Sequence, residues 1–121
     1  MQRLWIGLGA LSGFKAVAIA AFAAHGLAWL DPAALRMVRS AIDMQMWHAL
    51  ALLAVGVWAP RGGQLADLAG AAFLAGSILF CGSVYLLGLT GISLGPVAPI
   101  GGVLLMLGWL LLAVSAWRAA S

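Results

Sequence analysis

The chain has 121 residues, 65% of them hydrophobic and only 7% charged, with a formal net charge of +3. Soluble domains average about 45–50% apolar and about 25% charged, and a globule this small has too little interior to hide the excess. The balance excludes a soluble domain, a nucleic-acid binder and a disordered tail, and leaves a small polytopic helical membrane protein.

Roughly 79 apolar residues out of 121 match four spans of about 20 residues each. Lys15, Arg3, Arg36, Arg39, Arg61 and Arg118 stand singly between apolar runs. That pattern suits membrane flanks and offers no charge run for a phosphate backbone. Cys81 is the single cysteine, so no internal disulfide forms.

The first apolar block covers residues 4–30. Arg3, the stretch behind it and the small residues from Ala20 to Ala24 resemble a signal peptide. Lys15 interrupts the apolar region, and the segment is read as a retained first span. Asp31-Pro32 then reads as a helix N-cap with proline at the first helical position. Over residues 32–43, Leu35, Val38 and Ile42 fall on one side and Arg36, Arg39 and Asp43 on another. This is either a short amphipathic helix on the membrane surface or an extension of the next span, and the interfacial helix is the reading adopted.

The second span covers residues 44–59, and Pro60-Arg61-Gly62-Gly63 is a turn. The third span covers residues 65–89. Gly88 to Pro99, with three glycines, two prolines and no charge, forms a tight apolar hairpin before the fourth span at residues 97–117. All four are helical, because lipid offers no partner for an open backbone. The expected fold is an all-α, four-helix transmembrane bundle forming one domain over residues 1–121. Trp5, Trp29, Trp58, Trp109 and Trp117 read as interfacial anchors. Gly9 and Gly13, continued by Ala16, Ala20 and Ala24, and the pair Ala72 and Gly76, supply small-residue faces for close helix approach. Four spans put both termini and the 60–67 turn on one face. Three arginines there against two on the other favour cytoplasmic termini.

Polar residues inside the spans are where a function would have to reside. Lys15 sits mid-span, where insertion of a cation costs about 2.5–3.5 kcal/mol. It either snorkels, or donates inside the bundle, or pairs with a lipid headgroup, ligand or partner subunit. His25, Gln45, His48 and Tyr85 fall at similar depth near one face and form a candidate polar cluster. Interhelical hydrogen bonding is its first reading, at about 0.6–2 kcal/mol per bond. Copper(I) or zinc on His25 and His48, with Met44, Met46 and Cys81 near, is a second. A bis-histidine haem, a quinone pocket, and proton or small-solute handling complete the alternatives. Ser77, Cys81 and Tyr85 recur at i, i+4, i+8 on the third span. No nucleophile stands beside a base with a carboxylate, no phosphate loop is present, and no carboxylates pair, so an enzyme is not expected and no cofactor is assigned.

The segments SGFKAVAIAAFAAHGL (12–27), MQMWHALALLAVG (44–56), GSVYLLGLTG (82–91) and LGPVAPIGG (94–102) resemble the domain-of-unknown-function 423 family. These are small bacterial inner-membrane proteins related to eukaryotic transmembrane protein 256. The resemblance runs from about residue 4 to residue 117 and implies a four-helix membrane protein with no established biochemical activity. Its pattern falls on His25, Gly26, Gln45, His48, Tyr85, Gly95, Pro96, Pro99 and Gly101. The chain departs from it at Lys15, Ala21, Ala24 and Cys81. The function expected is that of an accessory or structural subunit, in contact with membrane lipids and associating with itself or with a larger membrane complex. The alternative is a ligand-binding or transport protein using the His25/His48 cluster.

Overall fold

The computed structural model describes residues 2–119. Three helices account for nearly all of them: α1 (Gln2–Gly26), α2 (Pro32–Thr90) and α3 (Val97–Ala119). The expectation of four separate helices is corrected here, because the second and third apolar blocks lie in one 59-residue element. A straight helix of that length would extend about 88 Å, some three times the roughly 30 Å hydrocarbon core. It does not run straight. Gly63 adopts φ 63°, ψ −146°, outside helical geometry, in a region that side chains with a Cβ avoid. There α2 doubles back, so that Tyr85 bonds to Gln45 and Cys81 to the carbonyl of Ala41 on the earlier limb.

The break is confined to Gly63, and Pro60, Arg61 and Gly62 remain helical rather than forming the expected four-residue turn. No separate interfacial helix exists at residues 32–43, which are the opening turns of α2. Its start follows the expected chemistry. Asp31 accepts a hydrogen bond from the backbone N–H of Ala34 at 2.8 Å, and Pro32 fills the first position. No helix break intervenes between 43 and 44 because nothing there stops one. The apolar side of the amphipathic stretch, Val38 and Ile42, packs with Ala23 and Leu27 from the end of α1, while Arg36, Arg39 and Asp43 remain exposed. At the far end α2 persists to Thr90, and Gly91 closes it in a left-handed conformation at φ 77°. The hairpin is therefore shorter than expected, spanning residues 91–96.

Both limbs of α2 form the centre, with α1 and α3 packed against them. A core of Trp5, Leu52, Val55, Ala69, Phe73 and Leu105 joins all three helices. The small-residue faces serve this internal packing. A Cβ on Gly9 would lie 2.9 Å from the carbonyl oxygen of Ala49, so α1 rides directly on the α2 backbone. Gly76 and Gly101 mark a second such crossing, where a Cβ on Gly76 would lie 2.8 Å from the carbonyl of Gly101. Without a hydrophobic drive between helices in lipid, such contact supplies the dispersion energy of association.

The tryptophans divide. Trp29 and Trp117 are exposed, as outward anchors would be. Trp5 is only 3% exposed, and its indole donates to Asp67 at 2.9 Å. The Trp58 indole likewise donates to Ser115 at 2.9 Å. These two bonds bring the start of α1, the Gly63 break and the end of α3 to one end of the molecule. Arg61 lies at that end, its guanidinium 5.5 Å from the Trp58 ring centroid.

Candidate functional site

Gln45 and His48 sit one turn apart on the inner side of the first α2 limb, both buried. Gln45 uses both ends of its amide. Its Nε2 donates to the carbonyl of Ser12 on α1 at 3.0 Å, and its Oε1 accepts from the Tyr85 hydroxyl at 2.7 Å. One side chain thus ties α1 to both limbs of α2. A buried amide is expensive without partners and stabilising with them.

His48 is committed just as fully. Its Nδ1 lies 2.7 Å from the carbonyl of Met44, and its Nε2 lies 3.0 Å from the indole nitrogen of Trp109 on α3. A carbonyl only accepts and an indole N–H only donates. The proton therefore resides on Nδ1 and the lone pair on Nε2, and the ring is neutral. Phe73 and Trp109 enclose it, with ring centroids 5.7 Å away in each case and 4.9 Å between the two aromatics. The Nε2 lone pair points at a proton already, so His48 as arranged offers no free ring nitrogen to a metal or haem iron.

Of the four residues expected to converge, Gln45, His48 and Tyr85 lie at the α1–α2–α3 contacts described. His25 does not join them. It lies in the last turn of α1 on an exposed face, about 20 Å along that helix from Ser12, whose carbonyl takes the Gln45 bond, so it differs from the cluster in level as well as in direction. Cys81 is buried, with its thiol 3.5 Å from the carbonyl of Ala41. Among the described residues no group of three or more His, Cys, Asp or Glu side chains gathers in a way that could hold a metal.

Trp109, which the sequence reading sets among the interfacial anchors, is instead the His48 partner. Its position 12 residues into the 23-residue α3 marks the middle of that helix rather than an interface, and this was a legible signal. Ser12 contributes through its backbone and carries no signal in its side chain.

Beside this saturated cluster, a groove of about 540 Å³ opens between α1 and the second limb of α2. Lys15 and Ile19 line it from α1, Leu74, Ser77 and Ile78 from α2, and Gln45 and Tyr85 also reach it. Ser77 is 8% exposed, and its hydroxyl is buried without a hydrogen-bond partner.

Comparison of the sequence with known proteins places the chain in a family. A model described as protein of unknown function (DUF423) matches residues 19–102. A UPF0382 membrane protein of Haemophilus influenzae is 39% identical over 123 residues, covering 100% of this chain and 99% of its own. Another from Staphylococcus aureus is 42% identical, covering 98% and 99%. A third from Bacillus subtilis is 36% identical, covering 95% and 97%. No solved structure matches the chain. With relatives this similar along their full length and apolar helices long enough to cross a bilayer, the chain is a membrane protein belonging to the DUF423 family, also called UPF0382.

Proposed function

We propose that the chain is a non-catalytic component of the bacterial inner membrane that acts by association, with itself or with a larger membrane complex. The observation that supports this reading most is the saturation of the cluster around Gln45 and His48. Both ring nitrogens of His48, both ends of the Gln45 amide and the Tyr85 hydroxyl are engaged in bonds between or within helices. Groups so engaged hold helices together and are not available to polarise or attack a substrate.

The doubling of α2 at Gly63 supports a reading of four membrane crossings, a bundle of four helical rods with α1 and α3 supplying the outer two. Arg3, Arg61 and Arg118 then flank one side and Arg36 and Arg39 the other. The excess of arginine assigns the side bearing both termini to the cytoplasm. What the bundle offers outward is apolar, including Phe14 and Phe22 on α1 and Trp109 and Leu110 on α3. These faces touch lipid or a neighbouring helix. The histidine-based alternative of metal, haem, quinone or solute binding is the less favoured reading, because His25 lies on an exposed face and both His48 ring nitrogens have partners.

The test is cross-linking in the native membrane followed by extraction in mild detergent and native mass spectrometry. An oligomer or a defined protein partner is expected. A monomer, uncross-linked before extraction, contradicts the reading.

A further inference from the structure

The groove between α1 and the second limb of α2 has a different character from the rest of the interior. Lys15 lies roughly midway along α1, about 20 Å from Gln2 and about 16 Å from Gly26 at 1.5 Å per residue. Ser77 lies midway between Gly63 and Thr90 on the facing limb. Both line the groove, whose remaining walls are largely apolar, with Leu8, Ile19, Leu74 and Ile78 among them. Its volume, about 540 Å³, falls within the roughly 300–1,000 Å³ of small-molecule sites.

Two donors in it lack acceptors. The Ser77 hydroxyl is buried without a partner, although serines at such depth ordinarily back-bond to their own helix. Lys15 forms no ion pair among the described residues. Each aspartate is placed elsewhere. Asp31 caps α2, Asp67 accepts from Trp5, and Asp43 is exposed on α2 outside the groove. An ammonium at mid-bilayer depth calls for an anion, and the Ser77 hydroxyl lining the same groove offers a second donor. The apolar walls call for a hydrocarbon chain.

We propose that this groove is a binding site for a single-chain carboxylate amphiphile, its carboxylate held by Lys15 and Ser77 and its chain lying along α1. A phospholipid is a poorer match, since its charged head belongs at the interface. A fatty acid crosses the bilayer in its protonated form and so reaches the middle.

The full chain in nanodiscs of zwitterionic phosphatidylcholine tests this with oleate labelled with ¹³C at the carboxyl. A saturable, protein-bound carboxyl resonance at one oleate per chain is expected, shifted from that of oleate in empty discs. K15Q should weaken binding about ten-fold or more and S77A about three-fold, while K15R retains it, as expected for a charge-assisted pair and a neutral donor. Methyl oleate should fail to displace the bound acid. Equal binding by wild type and K15Q, or displacement by methyl oleate or a neutral short-chain quinone at equal concentration, overturns the proposal. So does a cross-link from position 15 to a carboxylate of a partner protein in native membranes, which would assign Lys15 to an interface.

Discussion

Two regions of this molecule sit within one helical turn of each other and treat their polar atoms in opposite ways. Around Gln45 and His48, donors and acceptors close on one another across three helices. Around Lys15 and Ser77, donors face an open groove with nothing to accept from them. The first arrangement is what a bundle needs to fix its register, since a satisfied buried network specifies one packing among many apolar ones. The second is what a bundle avoids unless something else completes it. Composition does not separate the two, as each is a handful of polar residues at mid-span. Only the azimuth of each side chain does.

The contrast can be broken most forcefully at His48. H48L removes the acceptor of the part-buried Trp109 indole N–H and disturbs the tilted ring contact with Phe73. Thermal unfolding in a mild detergent should show a loss of about 2–3 kcal/mol. A change under about 0.5 kcal/mol would mean that the aromatic contacts alone position the ring.

The Gln45–Tyr85 bond sharpens the contrast at its border, since both residues also line the groove. Q45L and Y85F should each cost about 1 kcal/mol, with a coupling near 0.6 kcal/mol in the double-mutant cycle, the usual size for an interhelical hydrogen bond in a membrane protein. Additive effects would show that the two side chains act separately. The smallest effect belongs to His25, where H25A should alter stability by less than about 0.5 kcal/mol. A larger loss would place this residue back in the cluster.

Much of the fold was legible because lipid simplifies the problem. Apolar runs, Asp31-Pro32 and the glycines near residues 63 and 91 mark helices and their ends by length and backbone chemistry alone. Boundaries blurred where no residue forbids a helix, as between Asp43 and Met44, or where proline is tolerated inside one, as at Pro60. Of the site, the Gln45–Tyr85 pairing was legible and the place of His25 was not. Residue counting put His25, Gln45, His48 and Tyr85 at a common level by starting the second crossing near residue 44, whereas the first limb of α2 begins at Pro32 and meets α1 at Ser12 with Gln45. His25 is displaced along α1 from that level, and it also faces outward, a direction that counting along a helix does not give. Trp109 shows the converse. Tryptophan's preference for interfaces hid a mid-helix indole that is half-exposed yet turns its N–H onto His48.

Nitrogen NMR of the His48 ring in the reconstituted protein tests most directly whether the Gln45–His48 cluster is a closed structural network. The structure predicts a neutral imidazole protonated at Nδ1, with Nε2 carrying a hydrogen-bond coupling to the Trp109 indole. An Nε2-protonated ring, an imidazolium, or a ring whose Nε2 shifts on metal addition would contradict it, and would return His48 to the list of residues free to do chemistry.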